Sequence, residues 1–284
     1  MPEEPPVTSP TSLSEAYELL AGGDAWRPIA GGTDLMVQIT GELAPPPERV
    51  LDLWGLRELR EVALVDGSLV IGALTTYTQL RRSDLCQEHV PALVDAAATI
   101  GAAQIQNRGT IGGNIVNASP AGDTLPVLLA LDAEIILGSA RGERGVAAAD
   151  FWTGYRQTAR AEDELVLRVR VPLPRGRQVR FRKVGTRRAQ AISKVVMAVA
   201  WREDAGVWRD VRIALGSVAE RPIRAAQTER VLEGAAPRRE TADHAAATIA
   251  DEIHPIDDVR STADYRRAVT ARILHRVLRQ AGGW

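Results

Sequence analysis

Two glycine-rich strings are the places where this backbone could do chemistry: Ala30-Gly31-Gly32-Thr33-Asp34 and Gly109-Thr110-Ile111-Gly112-Gly113-Asn114. Each sets adjacent glycines beside a hydroxyl and a short polar side chain. Glycines without Cβ atoms let backbone N–H groups approach an anion closely, and consecutive N–H groups form a concave anion nest. Thr33 and Thr110 add hydroxyl donors, and Asn114 adds an amide hydrogen. Two such turns suit a diphosphate better than a single phosphate. Gly-Gly pairs also serve as plain tight turns, so the glycines alone leave both readings open. No GxGxxG follows a strand and no GxxxxGKS/T occurs, so neither a Rossmann nor a P-loop site is indicated.

The elements that would position these turns are legible from capping and periodicity. Ser12 and Glu15 form a capping box, with Leu13, Ala16, Tyr17, Leu19 and Leu20 at helical spacing and Gly22-Gly23 as the stop. A short strand from Arg27 to Ala30 leads into the first turn, and an apolar stretch from Leu35 to Ile39 follows it. Val50 to Leu53 and Leu69 to Ile71 read as strands, the latter paired with 63–65 through an Asp66-Gly67 turn. Pro91 to Ala103 reads as an alanine-rich helix ahead of the second turn, and Asp123 as the N-cap of a helix from Thr124 to Leu131. Strands are expected from Glu134 to Leu137 and from Glu164 to Val171. Composition shifts after Pro172-Leu173-Pro174, which places a domain boundary between Pro174 and Gln178. Beyond it, Val195 to Trp201 and Val207 to Leu215 alternate around Asp204-Ala205-Gly206. Helices then follow from Ala225 to Leu232, Thr241 to Ile253 and Ala263 to Gln280. Mixed order without regular βαβ alternation favours an α+β fold.

Composition removes several classes of function. In 284 residues the formal net charge is -1, so nothing directs the chain to nucleic acid or a membrane. Cys86 is the only cysteine, most simply a buried small apolar residue, so neither an iron–sulfur cluster nor a zinc-thiolate site can be built here. His89, His244, His254 and His275 show no metal-ligand spacing. The stretch from Met1 to Ser9 lacks the basic start of a secretory signal, and no apolar run is long enough to span a bilayer; a cytoplasmic location is expected. Only two of the 35 basic residues, Lys183 and Lys194, are lysines, which marks any lysine near a site as a compact ammonium kept for a reason. The arginine-rich helix from Arg266 to Arg279 reads as a solvated or interface face.

The strings carry more than their glycines. Ile29 to Leu35, Gln104 to Ile115 and the continuation Ala118-Ser119-Pro120-Ala121-Gly122-Asp123 resemble the FAD-binding medium subunit of the molybdenum hydroxylases, the family of xanthine, carbon monoxide and aldehyde oxidoreductases. Further stations follow in family order. They are Gly154-Tyr155-Arg156 after Phe151, Lys183-Val184-Gly185 before Ala191-Ile192-Ser193, Ile256-Asp257-Asp258-Val259-Arg260, and Tyr265-Arg266-Arg267. The resemblance covers essentially the whole chain.

The resemblance implies a wrap-around (PCMH-type) FAD-binding domain over residues 1–176, made of two α/β subdomains at about 1–58 and 59–176. A smaller α+β domain with an antiparallel sheet and helices is implied over 177–284. It also implies cofactor positions. Pro28, Ile29, Ala30, Gly31, Gly32, Thr33, Asp34 and Leu35 resemble the first loop around the pyrophosphate; Thr110, Ile111, Gly112, Gly113 and Asn114 resemble the second. Asp123 falls at a cofactor-contacting aspartate, Ile100 where some members place an aromatic, Val166 at an aliphatic position near the flavin, and Lys183 at a lysine used at the cofactor. A carboxylate repels phosphates, so Asp34 is expected to meet the ribose or the backbone. Tyr155 and Arg156 are expected to be structural.

The function so implied is electron transfer through non-covalent FAD, with no catalytic acid or base and no metal in this chain. The molybdenum cofactor is expected in a large partner subunit and 2Fe–2S clusters in a small one, the whole a dimer of heterotrimers. Two other readings are a stand-alone PCMH-type oxidase or reductase, which would need its own substrate pocket, and a non-catalytic assembly subunit.

Overall fold

The computed structural model describes residues 5–41, 43, 45–173, 176–187 and 190–284. Pro174, where the expected boundary begins, and Met1 to Glu4 of the N-terminal stretch lie outside them.

Three hydrophobic cores organise the chain. The first belongs to a parallel three-stranded sheet in the order Val7–Thr8, Arg49–Asp52, Trp26–Ile29. The helix Leu13–Ala21 covers it, burying Ala16 and Leu20 beside Leu51, Leu53 and Leu165. Ser12 caps that helix by accepting the Glu15 amide, but the expected reciprocal bond is displaced: the Glu15 carboxylate takes the amide of Thr11 at 2.7 Å. The stretch after the first turn is a short helix, Leu35–Thr40.

The second core surrounds an antiparallel five-stranded sheet in the order Val62–Val65, Ser68–Gly72, Leu165–Pro172, Glu134–Ser139, Gly142–Ala147. Asp66 (φ 48°) and Gly67 (φ 73°) make its first hairpin turn, the left-handed pair that matches strand twist. Short helices pack on one side. The expected helix from Pro91 to Ala103 stops at Ala98, because Gly101 turns left-handed (φ 53°), and a separate helix Ala103–Arg108 begins beyond it. Nor does Asp123 cap a helix. Thr124 is the N-cap of Leu125–Ala130, and the Asp123 side chain is drawn away to Lys183.

The third core fills an antiparallel four-stranded sheet, Gln178–Val184, Val195–Asp204, Val207–Gly216, Ile223–Arg224. Helices Ala226–Leu232, Arg239–Glu252 and Ala263–Gly282 pack on it. The arginines of the last helix are not all solvated as expected. Arg266 is 4% exposed, because backbone carbonyls distant in sequence accept its guanidinium hydrogens. Among the described residues, no helix is long and apolar enough to cross a membrane, and no cluster of metal-ligating side chains forms.

Ile213 sits at 0% exposure in the third core. Ile213→Ala is expected to cost about 2–5 kcal/mol, transfer and cavity terms together. Urea unfolding followed by fluorescence of the buried Trp208 measures it directly.

Candidate cofactor-binding site

The two glycine turns meet each other. A Cβ built on Gly31 would lie 1.7 Å from the Arg108 carbonyl oxygen and 3.1 Å from the Gly109 amide. The first turn therefore seats directly on the backbone that opens the second. Arg108 is fixed from its side-chain end as well: its guanidinium stacks on Trp54 at 3.8 Å, and Arg60 covers the same ring at 4.2 Å. On the other side of the second turn, Tyr77 donates its amide to Gly109 O and Gly112 donates to Ala73 O. Gly109 packs so tightly on the Tyr77 ring that a Cβ there would come within 2.8 Å.

Between the turns lies a cleft of about 740 Å³, within the range typical of small-molecule and cofactor sites. Its walls contain every residue from Pro28 to Leu35, together with Ile100, Thr110, Gly112, Gly113, Asn114 and Val166. Three other positions singled out by sequence stand back from it. Ile111 is fully buried in the second core, while Asp123 and Lys183 pair with each other at 2.6 Å. Lys183 also donates to Thr99 O at 3.1 Å, directly behind the Ile100 wall. It is no ordinary surface cation, since its side chain is 9% exposed.

The turns offer different donors. Among the described residues, no protein acceptor takes the amides of Gly31, Gly32, Thr33 or Asp34, and Gly32 has the positive φ (73°) that curves such a nest. In the second turn the amides are already used: Gly112 donates to Ala73 O, Gly113 to Thr110 Oγ1 and Asn114 to Thr110 O. What this turn presents is side-chain hydrogens. Thr110 Oγ1 accepts from Gly113 and keeps its own proton to give. Asn114 Oδ1 accepts from Thr124 Oγ1 at 2.5 Å, which leaves the Asn114 amide hydrogens for the cleft it lines. Asp34 is half-exposed with Arg156 at 4.0 Å, and Arg156 in turn donates to Asn117 Oδ1. This places Arg156, read from sequence as structural, on the cleft wall. Tyr77, a wall residue the sequence did not single out, stays neutral: burial, then the Asp123 and Asp34 charges, pushes its phenol far up.

These walls, with unclaimed amides on one side and hydroxyl and amide hydrogens on the other, fit an extended diphosphate ligand. Comparison with known proteins agrees. Residues 3–174 match the family model described as the FAD binding domain in molybdopterin dehydrogenase, and residues 180–281 match the CO dehydrogenase flavoprotein C-terminal domain. The chain belongs to the FAD-binding subunits of the molybdenum hydroxylases.

Within that family it is 37% identical to the glyceraldehyde dehydrogenase medium chain of Sulfolobus acidocaldarius, covering 91% of each chain. It is 33% identical to the nicotinate dehydrogenase FAD-subunit of Eubacterium barkeri, over 91% of this chain and 90% of that one. Its fold superposes on a solved chain of the carbon monoxide dehydrogenase from Hydrogenophaga pseudoflava with a TM-score of 0.93 and 31% identity, covering 97% and 96% of the two chains. The chain thus has the wrap-around α+β architecture of these flavoprotein subunits, and it is an oxidoreductase subunit by family.

Family membership gives the two glycines distinct expected behaviours. Gly31→Ala drives a methyl into the Arg108 carbonyl and must separate the turns, so thermal stability and flavin content fall together. A Cβ on Gly113 meets only Thr110 Oγ1, at 3.0 Å, and alanine is the better helix former. Gly113→Ala keeps its melting temperature while flavin content falls, as the ratio of visible to ultraviolet absorbance will show. A second test concerns Asp123, whose carboxyl burial pushes up to about 6 against the pull of Lys183. A carboxyl raised in the folded state favours folding at acid pH and loses that contribution as pH climbs through its folded value. The melting temperature of the parent should therefore drop relative to Asp123→Asn between about pH 4 and pH 7. A difference that stays flat across this range contradicts the assignment.

Proposed function

We infer that the chain is the FAD-binding electron-transfer subunit of a molybdenum-containing hydroxylase, passing electrons from 2Fe–2S clusters of a small partner subunit to an external acceptor. A large partner subunit would carry the molybdenum cofactor, and the assembly would be a dimer of heterotrimers in the cytoplasm. The observation that carries this reading is the cleft between the glycine turns, whose first turn has four amides without acceptors among the described residues. The relatives named as medium chain and FAD-subunit supply the subunit context.

FAD bound here would supply the junction between one-electron and two-electron transfer. The protein's share is to bind, orient and exclude water. The amides of Gly31 to Asp34 and the hydroxyl of Thr110 would hold the diphosphate, and the Asn114 amide would donate beside them. Ile100 and Val166 would wall the rings with aliphatic surface. Asp123 and Lys183, paired behind the Ile100 wall beside Thr99 O, would act on the cofactor through that wall. We propose a division of the chain at 1–176 and 177–284, with the first part forming the walls. Neither glycine turn contains a histidine or cysteine, so attachment would be non-covalent.

The chain freed of its iron–sulfur partner should be yellow. Acid precipitation is expected to release stoichiometric FAD into the supernatant, with molybdenum and iron co-purifying in the other subunits. A colourless chain that takes up no FAD on incubation overturns the reading, and flavin retained in the acid pellet overturns its non-covalent part.

A further inference from the structure

Every wall residue of the cleft lies between Arg27 and Val166. The residues that hold one of those walls from behind lie in the C-terminal part of the chain. Ser217 donates its amide to Pro120 O at 2.8 Å. The Ser193 hydroxyl lies 3.3 Å from Ala121 O and 2.9 Å from the Ser217 hydroxyl. Both serines are buried, and Ser217 adopts a left-handed φ of 65° that a non-glycine residue holds only under constraint. The segment they grip, 120–124, runs straight into the cleft wall, because Thr124 donates to Asn114 Oδ1.

The serines are in turn held by Arg266. Its guanidinium donates from Nη1 to Ser217 O at 2.7 Å and to Lys194 O at 3.0 Å, and from Nη2 to Asp258 at 2.7 Å. Asp258 is fixed by the amides of Arg260 and Ser261 at 2.9 and 3.0 Å. Lys194 precedes the strand Val195–Asp204 and Ser217 follows the strand Val207–Gly216, each by one residue. Burying a guanidinium is costly, and an apolar side chain would fill the same space without that penalty. What an apolar side chain lacks is a planar fork able to clamp two carbonyls and a carboxylate at once.

We propose that Arg266 is a positioning residue of the flavin site. By clamping the Ser217 and Lys194 carbonyls it fixes the Ser217 amide against Pro120 and the Ser193 hydroxyl against Ala121, and so sets the Asn114 side chain through Thr124. The proposal rests on the FAD reading above, and it assigns to the C-terminal part a control over cofactor affinity exerted without touching the cleft.

The competing role for Arg266 is plain stabilisation of the junction between the two parts, and the molecule contains a built-in comparator for that. Asp132 accepts from Arg177, Arg212 and Arg224 across the same junction, at the opposite end of the helix Leu125–Ala130 from segment 120–124. The test is FAD titration of the full-length apoprotein, with visible spectra and melting temperature recorded for each variant. Arg266→Gln and the pair Ser193→Ala with Ser217→Ala are expected to weaken FAD binding about tenfold or more, the scale of one or two lost hydrogen bonds, and to shift the flavin absorption bands. Asp132→Asn is expected to lower the melting temperature while FAD affinity stays within about twofold of the parent. If Arg266→Gln melts lower but binds FAD as the parent does, the proposal is overturned. Should that variant fail to fold, the serine pair decides alone, and unchanged affinity in it overturns the proposal. A parent chain that binds no FAD at all overturns the cofactor reading instead, and this proposal with it.

Discussion

The fold turns on one close approach: the Cα of Gly31 against the carbonyl of Arg108, where a methyl group would be buried in backbone. This contact sets two segments, some eighty residues apart in sequence, at a fixed distance across the cleft. Much else serves it. The Arg60 and Arg108 guanidiniums, both over the Trp54 ring, tie the segment after the strand to the second turn. The Gly109–Tyr77 contact and the Gly112 bond to Ala73 tie that turn to the five-stranded sheet's own leading segment. A cleft made in this way has walls of backbone, and backbone in close contact is stiffer than any arrangement of side chains alone.

The two turns are written alike and yet do different work. The first keeps its amides free and curves through Gly32; the second folds its amides into a cap on the helix Ile111–Asn117 and presents Thr110 and Asn114. This asymmetry suits a ligand whose one side carries bare phosphate oxygens and whose other side must be oriented by fewer, directional donors. Asp34 fits the same logic. Its carboxylate lies 4.0 Å from the Arg156 guanidinium.

How much of this was legible follows from where each signal resides. Periodicity and turn chemistry are local, so the strands at 165–172 and 195–216 and the long final helix were found close to their true ends. The family wording of the turns located the cleft. The helix expected to run to Ala103 failed at Gly101, whose left-handed backbone is a choice made by packing against Ile105. Asp123 was misplaced as a cap because its partner, Lys183, is sixty residues away. Arg266 sits among four other arginines on a helix that looks solvated, and its burial depends on carbonyls at 194 and 217. The short helices Tyr77–Arg82 and Asp84–His89 carry local signals of their own, a Thr76/Gln79 capping box and a Ser83 cap. Contacts set by tertiary structure leave no mark on spacing; caps do.

The unclaimed amides of the first turn bear on how long such a chain lives. They converge only when the three parallel strands and the second turn are in place, so a diphosphate ligand binds the folded chain and not the unfolded one. By mass action, each tenfold rise in free FAD above its dissociation constant then adds about 1.4 kcal/mol to folding stability. On the proposed reading, the fraction of newly made chain that escapes proteolysis is governed by the flavin supply of the cell, before any partner subunit arrives.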